Sequence, residues 1–123
     1  MLKMQKIVDQ MMQDIPGALA VCVAEIDSGM ALASRSNQGA LEPELAAAYN
    51  AEVIKQKLKA KKALGLEDQN IDDILITLTE QYHVLMIVPG NSYFVYVAAS
   101  REGSLAIIRA TLRKGMNQIS DKV

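Results

Sequence analysis

Between Ala18 and Ile26 both alternating sets of side chains are apolar: Ala18, Ala20, Cys22, Ala24 and Ile26 on one side, Leu19, Val21 and Val23 on the other. Successive side chains of a strand point to opposite faces, so such a segment must be covered from both sides. Val84 to Val88 and Tyr93 to Ala99 repeat the pattern, and Pro89-Gly90-Asn91-Ser92 between them reads as a hairpin turn. A sheet with two buried faces requires a helical layer on each. That requirement makes the chain a three-layer sandwich.

The remaining segments supply the layers. Met4, Ile7, Val8, Met11, Met12 and Ile15 recur every three or four residues, the spacing of one helix face, and Pro16-Gly17 ends the run. Asp27-Ser28-Gly29 is a turn into a shorter strand, Met30 to Arg35. A long helix from Glu42 to Leu64 has Pro43 in its first turn and Gly65 at its end. Ile74 to Thr79 has one apolar face and turns polar on the other beyond Leu75, which suits a strand near the sheet edge. Ser104 can cap a last helix carrying Leu105, Ile108, Leu112, Met116 and Ile119 as its buried stripe. The expectation is an α/β (α+β) fold in the order α-β-β-α-β-β-β-α, with a mainly antiparallel five-stranded sheet and profilin-like architecture. With no repeat or Pro/Ser linker, it forms a single domain over residues 1–123.

Charge narrows the function classes. Thirteen basic and fourteen acidic residues give a net charge of -1, without the basic excess that neutralises phosphates, so nucleic acid is not the expected partner. No apolar run approaches the roughly 20 residues of a membrane span. The first residues carry Lys3, Lys6 and Asp9 and do not read as a signal peptide. Cys22 is the only cysteine, which excludes an internal disulfide and fits a reducing compartment. The chain therefore reads as soluble and cytoplasmic.

The long middle helix carries two apolar stripes. Leu45, Ala46, Tyr49, Val53, Ala60, Ala63 and Leu64 fall together at about 100° per residue and are expected to face the sheet. Ala47, Ala51, Ile54 and Leu58 form the second. A helix on a sheet needs only one such stripe, so the second is expected to be a helix-to-helix dimer seam.

This order of elements resembles the Roadblock/dynein light chain family from the first helix through Ile119. The resemblance rests on Ile15-Pro16-Gly17-Ala18 entering the first strand, the Glu25-Ile26-Asp27-Ser28-Gly29-Met30 hairpin, the Ala-rich middle helix, and Gly103-Ser104-Leu105-Ala106-Ile107-Ile108-Arg109 opening the last helix. It implies homodimers or heterodimers whose middle helices pair and whose edge strands extend the sheet. It also implies association with Ras-like small GTPases, as scaffold or activating partner. On that reading Ala47, Ala51, Ile54, Leu58, Ile74, Ile76 and Leu78 form the dimer interface.

Chemistry-bearing residues point elsewhere than to catalysis. Cys22 lies mid-strand among apolar neighbours and reads as a buried, inert thiol. His83 has no second His or Cys at metal spacing. Lys55, Lys57, Lys59, Lys61 and Lys62 alternate around a helix C-terminal half and complement its dipole. Phosphate-binding GxxxxGK[ST] and GxGxxG motifs are absent, so the chain is not itself a GTPase. An arginine supplied in trans would have to come from Arg35, Arg101, Arg109 or Arg113, and ordinary solvation is expected of the last two. The expectation is thus a non-enzymatic regulator or scaffold without cofactor, catalytic or metal residues. The alternative is a sensory domain holding a small molecule in a core that Met4, Met11, Met12, Met30 and Met86 could line.

Overall fold

The computed structural model describes residues 2–37, 39 and 41–120. The chain runs α1 (Leu2–Asp14), β1 (Ala18–Glu25), β2 (Ala31–Ser36), α2 (Pro43–Ala63), β3 (Ile74–Thr77), β4 (Gln81–Ile87), β5 (Tyr93–Ser100) and α3 (Leu105–Ser120). The five strands form one sheet in the order β2-β1-β5-β4-β3, and every neighbouring pair is antiparallel. The expected element order and three layers are present. β1 and β5, apolar on both faces, lie inside the sheet, and β2 and β3 are its edges.

Two cores follow from the alternation. On one face Val21, Val23, Val84, Met86, Val95 and Val97 pack under Met4, Val8 and Met11 of α1, Ile15 just beyond it, and Ile108, Leu112 and Ile119 of α3. On the other, Ala20, Cys22, Ala24, Leu85, Phe94, Tyr96 and Ala98 pack under Ala47, Ala51 and Ile54 of α2. β1 departs from strict alternation at its start. Ala18 pairs with Ala99 and Ala20 with Ala98, so Leu19 is an extra residue in a β-bulge. Ala18 consequently joins the α1/α3 side and Leu19 the α2 side, the reverse of their expected faces.

Local chemistry sets the element ends. Pro43 occupies the first turn of α2, and the helix closes in a Schellman motif. In it Leu66 N–H donates to the Lys61 carbonyl at 2.9 Å and Gly65 N–H to that of Lys62 at 3.1 Å. Ser104 Oγ accepts from Ile107 N–H at 3.4 Å and caps α3. β3 stops at Thr77, two residues earlier than expected. Leu78 N–H donates to the Gln81 carbonyl at 2.8 Å, and the chain turns there into β4.

Gly29 fixes how closely α2 can lie on the β1–β2 hairpin. It holds φ +72°, and a Cβ there would stand 3.2 Å from the Ala48 Cα. Gly29→Val would combine left-handed backbone strain with that contact. The expected cost is about 1–3 kcal/mol of stability, measured by urea unfolding.

Candidate functional site

The orientation of α2 decides which surface the protein offers. Ala47, Ala51 and Ile54 are 0%, 1% and 0% exposed, packed on the chain's own sheet, and Leu58 packs half-buried beside them. These four residues were expected at a dimer seam; their side chains are instead consumed within the protomer. The stripe expected to face the sheet is the one turned outward: Leu45 is 55%, Tyr49 71% and Val53 39% exposed. The two faces are interchanged because β1, which α2 approaches together with β2, offers it the small side chains Ala20, Cys22 and Ala24. A helix can approach such a surface closely only with a small-residue stripe of its own. That signal was present in the strand sequences.

Leu45, Tyr49, Val53, Gln56 and Ala60 recur every three or four residues and run along about 22 Å of helix. Beside the stripe a groove of about 680 Å³ opens between α2 and β3, lined by Val53, Gln56, Lys57, Ala60, Ile71 and Ile74 among others. Ile74 and Ile76 of β3 are half-buried, and Leu78, just past its end, is exposed. Among the described residues β3 pairs only with β4, so its other side is an open edge. The Leu78 to Gln81 bond sets the ladder's phase, and alternation then directs the backbone N–H and C=O of Leu75 and Thr77 toward that edge. Helix stripe, groove and edge are contiguous.

The Tyr96, His83 and Gln81 side chains form one hydrogen-bonded row on β4 and β5. Tyr96 is fully buried, and its hydroxyl lies 3.3 Å from His83 Nδ1, with the rings edge-to-face at 5.5 Å. His83 Nε2 lies 2.8 Å from Gln81 Oε1. An amide oxygen only accepts, so this network assigns the proton to Nε2 and leaves Nδ1 to accept from Tyr96. Burial lowers the His83 pKa below its ordinary value. Burial, with the Glu44 carboxylate adding to it, pushes the Cys22 thiol up to about 12, and burial followed by Cys22 pushes Tyr96 to about 12. A thiol held protonated in this way is a poor nucleophile at neutral pH.

Three of the four arginines are engaged within the chain. Arg109 makes a two-pronged ion pair with Asp73, Nε to Oδ2 at 2.8 Å and Nη2 to Oδ1 at 3.3 Å, instead of the solvated position expected of it. Arg101 lies 5.5 Å from the Tyr82 ring centroid and donates to the carbonyls of Leu78 and Thr79. Arg35 pairs with Asp9 at 3.3 Å. Arg113 is exposed and makes no ion pair among the described residues. No helix among those residues is long and apolar enough to cross a membrane.

Layer order, strand order and the position of α2 are those of a Roadblock/LC7 domain fold. A solved Roadblock/LC7 domain from Streptomyces avermitilis superposes with a TM-score of 0.81 over 96% of this chain and 95% of its own, at 13% identity. Myxococcus xanthus MglB is similar at a TM-score of 0.87, covering 98% of this chain and 87% of its own, with 16% identity. An MglB with a tetrameric arrangement gives 0.83 over the same shares at 11% identity. No family model matches the sequence, and no curated protein sequence matches it significantly.

The buried titratable groups set a pH window for stability. The folded pKa of His83 is depressed, so the unfolded chain takes up the proton first, and stability falls as pH drops below about 6.5. For Cys22 and Tyr96 the folded pKa is raised above 9.0 and 10.0, so stability falls as pH rises past those values. Thermal unfolding should be most resistant between these limits. His83→Gln should flatten the acid limb and Cys22→Ala the first part of the alkaline limb.

Proposed function

We propose that the chain is a non-enzymatic homodimeric regulator or scaffold for a Ras-like small GTPase, acting through its surfaces. The observation that carries this reading is the continuous apolar seam of Leu45, Tyr49 and Val53 with its groove and the open edge of β3. Three large side chains in one helical stripe beside an unpaired strand edge form the kind of exposed apolar surface that marks an interaction site. The proposed dimer pairs the outer face of α2 and the Ile74, Ile76 and Leu78 edge with the same elements of a second copy. An isologous contact of this kind is self-complementary.

Charge along α2 suits that pairing. Glu44 and Glu52 lie in its N-terminal half, and Lys57, Lys59 and Lys62 in its C-terminal half. An antiparallel pair of such helices sets acidic halves against basic ones. Further support comes from the solved MglB that carries a tetrameric arrangement on the same fold. The GTPase partner comes from the Roadblock resemblance: the chain has no phosphate-binding loop of its own, so nucleotide chemistry falls to the partner.

Tyr49→Lys and Val53→Lys place a charge in the seam and should give folded monomers by light scattering, where the parent is a dimer. Ile54→Lys buries the charge inside the protomer and should abolish the cooperative unfolding transition itself. A parent of monomer mass would overturn the dimer. The GTPase reading is tested by capture on the tagged protein from lysates loaded with GTP or GDP. Recovery of a small GTPase in one nucleotide state, lost with Tyr49→Lys, is the expected result, and its absence in both states would overturn the reading.

A further inference from the structure

A second cleft, of about 330 Å³, opens at the end of the sheet between the C-terminal halves of α2 and α3, where the loop before β3 meets the β4–β5 turn. Its volume is at the lower end for small-molecule pockets, roughly 300–1,000 Å³. Leu58 and Met116 give it apolar wall, and Asn70 and Asn91 give it carboxamides. Arg113 and Asp72 also line it, and neither is in an ion pair among the described residues, with each other or with a third group. Lys61, the remaining charged residue of the lining, keeps its charge but is held against the loop, its Nζ donating to the Gln69 carbonyl at 2.6 Å.

We propose that this cleft binds a free α-amino acid with an aliphatic side chain. One cleft presents a guanidinium and a carboxylate that do not neutralise one another, and a zwitterion carries the complement of both. Arg113 is suited to take the carboxylate in a planar fork, and Asp72 the ammonium group. The side chain then lies against Leu58 and Met116. A simple anion would meet Asp72 without using it, and a simple cation would meet both Arg113 and Lys61. The cleft shares Ile71 with the α2–β3 groove, but Arg113 and Asp72 line the cleft and not the groove, so substitutions there test it apart from the dimer reading.

The test is calorimetric titration of the full chain with L-leucine, alongside isocaproate, which lacks the ammonium, and isoamylamine, which lacks the carboxylate. Leucine is expected to bind and to shift the amide resonances of Gly90 and Asn91. Each analogue should bind at least about tenfold more weakly, the effect of losing one charge-assisted hydrogen-bond partner. Arg113→Gln and Asp72→Asn should lose leucine binding while keeping the parent's circular dichroism and ligand-free melting temperature, since both side chains are exposed. Met116→Trp, which fills the cleft, should do the same. Absence of heat and of resonance shifts with leucine, valine and methionine at millimolar concentration would overturn the proposal. Equal binding of either analogue, or unimpaired binding by Arg113→Gln, would also overturn it.

Discussion

The close packing of small side chains between α2 and β1 is the contact on which the functional surface depends. Ala47 and Ala51 lie over a patch built from Ala20, Cys22, Ala24 and Ala98, and Gly29 keeps the hairpin clear of the Ala48 backbone. Dispersion gains from such packing are individually tiny and fall off steeply with separation, so a stripe of large residues in this position would prop the helix away and forfeit them. Ile54, at 0% exposure, is the one large side chain α2 buries fully here. Once the small stripe faces inward, geometry leaves Leu45, Tyr49 and Val53 no choice but solvent or a partner.

The opposite face is built differently and anchors the edge strand. Valines from β1, β4 and β5 meet α1 and α3, whose crossing is tight enough that a Cβ on Gly115 would run into the Met11 side chain. From α3, Arg109 reaches back to Asp73, the residue immediately before β3. The Asp73 side chain is 14% exposed, so its pairing is shielded from solvent and stronger than an open surface bridge. β3 has only four residues and one neighbour, and its ladder with β4 alone would hold it weakly. The ion pair fixes where the strand begins, and Arg101, donating to the Leu78 and Thr79 carbonyls, fixes where it ends. An edge held at both ends is a better template for an added strand than one that frays.

Most of the fold was legible because its strongest signals are local. Turn residues at Pro16-Gly17, Asp27-Ser28-Gly29 and Pro89-Gly90 punctuate the chain, and doubly apolar strands demand a central place in the sheet. The candidate site was harder to read, since periodicity gives the stripes of α2 but not their direction. Hydrophobicity alone points the larger stripe at the sheet, whereas the small Ala20, Cys22 and Ala24 of β1 demanded small partners. The bulge at Leu19 and the shortening of β3 at Thr77 were similarly invisible to an alternation pattern, because both are set by pairing with another strand. Arg109 looked solvated for a related reason: its partner is 36 residues away in sequence and meets it only through the fold.

In the proposed dimer, apolar and charged parts of α2 would do different work. Exposed ion pairs contribute about 0–1 kcal/mol each, whereas burying a large apolar side chain contributes roughly 1.5–3 kcal/mol. Leu45, Tyr49 and Val53 from two protomers would therefore supply most of the affinity. An apolar stripe alone does not distinguish parallel from antiparallel pairing. Charge segregation does, since parallel alignment would set Lys57 and Lys59 beside their own copies, and antiparallel alignment sets them toward the acidic half, where Glu52 also holds Lys55 and Glu44 accepts from Ser34 Oγ at 2.9 Å. Two neighbouring cations are already occupied: Lys55 holds Glu52 at 2.7 Å and the Asp27 carbonyl at 3.1 Å, and Lys61 holds the loop beyond the helix. Orientation would then rest on Lys57, Lys59 and Lys62, the lysines of α2 without a hydrogen bond or ion pair among the described residues.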